Sequence, residues 1–259
     1  MPKAAPGLKA ARILVSNDDG INAPGLKVLE KIARQLCRDV WVVAPEVEQS
    51  GAGHSLTLRR PLQVRRVSPR RFAVDGTPTD CVLLAVNRLI EGRRPDLVLS
   101  GVNRGSNLGE DVTYSGTIAA AMEATLLGIP SIALSQMREG QTIAWHVALK
   151  HGAEVIRRLI SVAWTEGVLM NVNFPYIAKG DVSGVQIVRQ GRRAANIEVT
   201  PVTDAVGRKY LWIGDFTSDN PVGHGTDLGA VRERAIAVTP LHLDLTHRGM
   251  VRRLTEAFG

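Results

Sequence analysis

Ile13-Leu14-Val15-Ser16-Asn17-Asp18-Asp19-Gly20, then Pro24 to Leu36, then Val40-Trp41-Val42-Val43-Ala44, is the stretch on which the fold turns. Ile13 to Val15 is a short apolar run that stops in a polar, glycine-ended loop, as a buried strand feeding a turn does. After Pro24, apolar residues recur at Leu26, Leu29, Ile32, Ala33 and Leu36, one face of a helix with proline in its first turn. Val40 to Ala44 is a second apolar strand, stopped by Pro45. Strand, helix and strand within roughly 35 residues make a βαβ unit, whose strands are parallel and whose crossover is right-handed.

The same alternation continues along the chain. Leu56 to Val67 and Arg71 to Val74 alternate around Ser68-Pro69 and read as an antiparallel hairpin laid beside the parallel sheet. Thr77 is set up as an N-cap, with Pro78 at the first helical position and Asp80 in the first turn. Leu97 to Ser100 reads as a strand entering the glycine-rich loop Gly101 to Gly109. A helix from Thr117 to Leu127 ends at Gly128, Ser131 to Ser135 is the next strand, and Thr142 to Val162 is a long helix. The expected fold is α/β: a doubly wound, mostly parallel, Rossmann-like sheet with a β-hairpin insertion. Beyond Gly180 only short strands remain, Val185 to Val188, Leu211 to Ile213 and Ala235 to Thr239, an irregular β-rich C-terminal extension. Its unpaired edges point to pairing with another chain. The organisation expected is a flexible tail over 1–12, an α/β catalytic core over 13–180, and an extension and oligomerisation arm over 181–259 within the same domain.

Of 259 residues, 44% are apolar, 22% charged and 4% aromatic, which is globular composition and excludes disordered, collagen-like and coiled-coil chains. The net charge of +7 is spread over scattered arginine pairs such as Arg59-Arg60 and Arg252-Arg253, without aromatic interleaving. That pattern suits a solvated surface that steers anions, and no stable nucleic-acid partner is expected. Cys37 and Cys81 lie in apolar helical patterns and read as buried free thiols of a reducing compartment. Met1 to Arg12 has no apolar h-region, and the most apolar window, Thr117 to Leu134, is broken by Glu123 and Pro130. The expectation is a soluble, cytoplasmic protein with no membrane partner.

In an open parallel sheet, ligands bind beyond the carboxyl ends of the strands, near the switch in strand order. The first strand ends in Asn17, Asp18 and Asp19, the second in Gln49, Ser50 and Gly51, and the Leu97 strand in Asn103 and Asn107. These are hard oxygen donors, suited to Mg²⁺, Mn²⁺ or Ca²⁺ rather than zinc. Asp18-Asp19-Gly20 also reads as a simple turn, and the two alternatives are separated only by the other loaded strand ends. Ser115-Gly116-Thr117 starts a helix, where Ser115 or Thr117 caps it and free N–H groups favour an anion; glycine at 116 lets a phosphate approach the backbone. G-x-x-x-x-G-K-[ST], G-x-G-x-x-G after the first strand, G-x-S-x-G and H-E-x-x-H are absent. Of the six histidines only His54, past Ser50, can approach the site, and a surface or hairpin contact is expected for it.

In order along the chain, Asn17-Asp18-Asp19-Gly20, Ala23-Pro24-Gly25, Gln49-Ser50-Gly51, Gly76-Thr77-Pro78-Thr79-Asp80-Cys81, Ser100-Gly101-Val102-Asn103-Arg104-Gly105, Ser115-Gly116-Thr117 and Asn171-Val172-Asn173-Phe174-Pro175 resemble the survival protein E (SurE) nucleotidases. The resemblance spans nearly the whole chain. It implies a divalent-metal-dependent phosphatase acting on nucleoside monophosphates, often tolerant of 5′ and 3′ esters and sometimes of short polyphosphate. It further implies Asp18, Asp19, Ser50 and Asn103 as ligands of one Mg²⁺ or Mn²⁺ per subunit, with Asp18 and Asp19 the catalytic pair. Ser115, Gly116 and Thr117 match its phosphate-side segment, and Asn17, Gly51 and Asn107 are expected beside them. A C-terminal arm exchanged between subunits implies a homodimer or homotetramer. One departure stands out: Arg234-Ala235 occupies the place where members usually carry a glycine and an aromatic. The expected reaction is single in-line displacement by metal-activated water; the rival expectation is a basic nucleotide- or RNA-binding protein without turnover.

Overall fold

β1 (Arg12–Ser16) and β2 (Asp39–Pro45) pair in parallel, Ile13 opposite Val40 and Val15 opposite Val42, with α1 (Pro24–Arg34) as their crossover. The computed structural model describes residues 7–192, 196–217 and 223–259. Along it follow β3 (Val64–Ser68), β4 (Arg71–Val74), α2 (Pro78–Leu84), β5 (Leu97–Arg104), α3 (Gly116–Leu126), β6 (Ser131–Gln136), β7 (Arg138–Glu139), β8 (Thr142–Ile143) and α4 (Trp145–Ile160). The remainder is β9 (Val168–Phe174), β10 (Val185–Ile187), β11 (Asn196–Thr203), β12 (Lys209–Thr217), α5 (Asp227–Arg232), β13 (Ile236–His242) and α6 (Arg248–Phe258). Nine strands form one sheet in the order β10-β13-β9-β6-β5-β1-β2-β4-β3. Its centre, from β9 to β4, is parallel; β13 and β3 run antiparallel to their neighbours β9 and β4.

Alternation along the central strands sends residues to two cores, which is why both faces must be covered. Ile13 and Val15 of β1 and Leu97 and Leu99 of β5 pack with α1 and α4 on one face. Leu14 and Val98 pack on the other with Cys81, Val82 and Ala85 from α2 and Ala120 and Ala124 from α3. Each such aliphatic side chain contributes about 1.5–3 kcal/mol by leaving water. α2 starts where the sequence sets it: Thr77 Oγ1 accepts from Asp80 N at 3.1 Å, and an Asp80 carboxylate oxygen accepts from Thr77 N at 2.9 Å. From β1 the chain steps outward to β2 and β4, and from β5 it steps the opposite way to β6 and β9. The switch in strand order therefore lies between β1 and β5, and Ser16 is paired with Ser100 there.

Several boundaries differ from the sequence reading. Residues 7–12 are not a loose tail: Ala11 is buried, and Arg12 begins β1, its Nε donating to Asp39 at 2.7 Å and its Nη1 to two backbone carbonyls. The remainder of that segment, 1–6, lies outside the described residues. The hairpin is shorter than expected, since 56–63 has no ladder. β5 runs on through Gly101 to Arg104, which the sequence reading assigned to a glycine-rich loop, and a cis peptide joins Gly101 to Val102. The extension after residue 180 is less irregular than expected: β13 inserts between β9 and β10 in the main sheet, because Ile236, Ala237 and Val238 are buried there. Its remaining described parts are the antiparallel pair β11–β12 and the helices α5 and α6.

Candidate active site

Three loops meet at the carboxyl ends of β1, β2 and β5, with the start of α3 beside them. The first carries Asp18 and Asp19 out of β1. Asp18 is buried, and its Oδ1 accepts a 2.5 Å hydrogen bond from Thr117 Oγ1 in the first turn of α3. α3 reaches the carboxylate because residue 116 is glycine: a β-carbon there would stand 2.7 Å from Asp18 Cβ and 3.0 Å from Asp18 Oδ2. The N-cap of α3 is Ser115, whose hydroxyl accepts from Ile118 N at 3.1 Å, so the two hydroxyls of this segment divide the work between cap and carboxylate. The positive end of the helix dipole thus abuts Asp18.

Asp19 is held from the β5 side, its Oδ2 accepting from Arg104 N at 3.2 Å. The loop after β2 is drawn in by Gln49 N, which donates to the Asp18 carbonyl at 2.8 Å. Ser50 is exposed and donates its hydroxyl to Glu48 Oε1 at 2.8 Å. Glu48 Oε1 also receives Arg104 Nη2 at 3.4 Å, which bridges the β2 and β5 loops. Asn103 turns its amide nitrogen to the Gly105 carbonyl at 3.1 Å. Asn17 is fully buried; its amide donates to the Gly20 carbonyl at 3.0 Å, while its Oδ1 has no hydrogen-bond partner among the described residues. Gly51 follows Ser50 with φ of 78° in an exposed turn.

Electrostatically this is a carboxylate pair short of positive charge. Burial pushes the Asp18 carboxyl up to about 6, against the Thr117 hydroxyl that lowers it, and the Asp19 charge raises it further. Burial also raises Asp19, opposed by the Arg104 N–H and guanidinium. A buried and a half-buried carboxylate, a neutral hydroxyl, a neutral amide and an orphaned amide oxygen are oxygen donors throughout. They fit a hard dication, which would neutralise the pair, and they do not fit zinc. Among the described residues no three His, Cys, Asp or Glu side chains converge as a metal site, so the candidate centre rests on this pair and its neutral neighbours.

Asn107 stands apart from that group. It is buried, its amide donates to Ser135 Oγ at 2.7 Å, its N–H to Asn173 at 2.8 Å, and its carbonyl accepts from Asn171 and Asn173. The Asn171–Asn173 pair of β9 thereby clamps the loop that leaves β5, a task nothing in the spacing announces. Asp227 fastens the same loop farther on by accepting from Gly109 N at 2.9 Å and Gly191 N at 2.8 Å. His54 is at the surface, as expected, and its partner is in a helix rather than the hairpin: its Nε2 lies 3.2 Å from the buried Glu123 of α3, tying the Ser50 loop to that helix. Glu48 was not singled out from sequence, although an acidic side chain two residues before Ser50, an expected ligand, is the available signal.

The fold and site together define a doubly wound α/β protein with an oxygen-donor carboxylate pair at its topological switch point, facing a helix N-terminus. The family model "Survival protein SurE" matches residues 13–197. A protein of Paramagnetospirillum magneticum named 5′-nucleotidase SurE is 59% identical over 248 residues, 95% of each chain. One of the same name from Parvibaculum lavamentivorans is 52% identical over 261 residues, 99% of this chain and 94% of the relative. The crystal structure of the Sure protein from Aquifex aeolicus superposes with a TM-score of 0.82 at 39% identity, covering 96% of this chain and all of that one. The chain belongs to the SurE family.

Proposed function

We propose that this chain is a divalent-metal-dependent phosphomonoesterase that removes phosphate from nucleoside 5′-monophosphates, as the names of its relatives suggest. The observation that carries this reading is the buried Asp18 carboxylate wedged between Asp19 and the N-terminus of α3 with no cationic side chain bonded to it among the described residues. Asp18, Asp19, Ser50 and Asn103 would hold one Mg²⁺ or Mn²⁺. When bound, such an ion supplies Lewis acidity toward phosphate oxygens and lowers the pKa of water.

The chain's own residues do the rest. Thr117 and the Arg104 N–H hold the two carboxylates in place, which favours single in-line displacement by water, with inversion at phosphorus, over attack by either aspartate. The backbone N–H groups of Ser115 to Thr117, at the positive end of α3, favour the equatorial oxygens as charge builds on them. Glu48 orients the Ser50 hydroxyl by accepting its proton, leaving the oxygen lone pairs available as a ligand. The working form in this reading is a cytoplasmic dimer or tetramer, assembled through the exposed apolar residues of β12. The buried free thiols Cys37 and Cys81 agree with a reducing compartment. No helix among the described residues is long and apolar enough to cross a membrane.

The test is a substrate panel with Mn²⁺: nucleoside 5′- and 3′-monophosphates, short polyphosphate and a simple aryl phosphate. Preferred release of phosphate from the 5′ esters, abolished by EDTA, is the expected result. Steeply salt-dependent RNA binding without turnover would replace this reading with that of a binding protein.

A further inference from the structure

Arg104 and Glu48 are not among the expected ligands, yet they join three of them. The Arg104 peptide N–H is fixed to Asp19, while its side chain is 58% exposed and reaches Glu48 Oε1 at 3.4 Å. That same oxygen accepts the Ser50 hydroxyl at 2.8 Å, so the guanidinium stands within two hydrogen-bond lengths of Ser50. No other lysine or arginine occurs in 16–20, 45–58 or 100–117, the segments that form the site. At neutral pH Asp18, Asp19 and Glu48 together outweigh a dication, and a phosphate ester adds close to two further negative charges. Without another cation, the substrate would enter a field of its own sign.

We propose that Arg104 is a specificity-determining residue whose guanidinium leaves Glu48 for the phosphate group when a phosphate ester enters. A long, half-exposed ion pair of this kind contributes little and parts readily. A guanidinium meets two phosphate oxygens in a planar fork, a geometry the single 3.4 Å contact to Glu48 does not use. Glu48 stays behind and keeps Ser50 oriented. The inference rests on the preceding reading of where phosphate binds, but not on turnover.

The experiment measures binding of inorganic phosphate to Mn²⁺-loaded protein by calorimetry, for the wild type, Arg104→Ala and Arg104→Lys. Mn²⁺ affinity is read separately by electron paramagnetic resonance. Both variants keep the peptide N–H that holds Asp19. Loss of a charge-assisted contact should weaken phosphate binding at least about tenfold in Arg104→Ala and less in Arg104→Lys. Mn²⁺ affinity should stay within about twofold of wild type, as expected for a side chain outside the ligand set. Unchanged phosphate affinity in Arg104→Ala would overturn the proposal, as would a loss matched by an equal loss of Mn²⁺ affinity or an absence of phosphate binding by the loaded wild type. Arg104-dependent phosphate binding in a protein that hydrolyses no nucleotide would instead sink the nucleotidase reading alone.

Discussion

At the scale of single residues, the Thr117 to Asp18 hydrogen bond governs the site. Thr117 reads in the sequence as a cap or a phosphate contact; the structure makes it the partner of a buried carboxylate. Thr117→Val leaves that carboxylate without its donor and should cost about 1–3 kcal/mol in stability or Mn²⁺ affinity. Thr117→Ser, which keeps the hydroxyl, should lose much less. Thermal melts of the metal-free protein and Mn²⁺ titrations check both. Asp18 also predicts a pH dependence. Its folded-state value, about 6, lies above the ordinary 3.8, so the folded protein holds this proton more tightly than the unfolded chain does. Without metal, the contribution is favourable at low pH and is lost as pH rises from about 4 to about 6, by up to about 3 kcal/mol. Asp18→Asn should remove that slope in the difference from wild type. A fall in stability on acidification through the same window, attributable to Asp18, would contradict the burial argument. The donors themselves were legible because they cluster at strand ends; Glu48 was not, nor was the pairing of Thr117 with Asp18 or of Asn173 with Asn107, since side-chain pairing across loops leaves no periodicity.

Among the elements, the βαβ unit and α2 were legible because proline, caps and apolar runs agree with each other. β5 was cut short at Ser100 because Gly101 and Gly105 look like loop residues, and β9 was missed because Asn171 and Asn173 put polar side chains at buried positions. α5 also escaped notice, and its end carries a strained residue. Arg234 follows the C-cap Glu233 with φ of 60°, the one non-glycine residue with positive φ among those described. This is the position where the SurE resemblance leads one to expect glycine. Arg234→Gly should relieve the left-handed strain, offset partly by loss of the Arg234 hydrogen bond to the Lys179 carbonyl. A net gain near 1 kcal/mol would raise Tm by roughly 2–4 °C. A lower Tm would mean that the Lys179 contact outweighs the backbone term.

For the whole molecule, one subunit leaves Leu211, Trp212 and Ile213 of β12 more than two-thirds exposed, and α6 has no buried residue. Contiguous apolar exposure of this sort marks an interface. We expect a dimer or tetramer by light scattering, and Trp212→Asp should shift it toward monomer; a wild-type monomer at micromolar concentration would refute the assembly. The sequence hinted at this through unpaired strand segments, but how β11 and β12 pair depends on tertiary context that single-strand patterns do not carry. The carboxylate pair at the switch between β1 and β5 is the centre of the proposed activity. Its most direct test is phosphate release from a nucleoside 5′-monophosphate by metal-stripped protein before and after Mn²⁺ is returned, in wild type and in Asp19→Asn. Activity should be restored by Mn²⁺ in the wild type and reduced by at least about a hundredfold in a folded Asp19→Asn, because a neutral amide cannot replace an anionic ligand of a hard dication. Full Mn²⁺-dependent turnover by Asp19→Asn, or undiminished turnover by metal-stripped wild type, would contradict it.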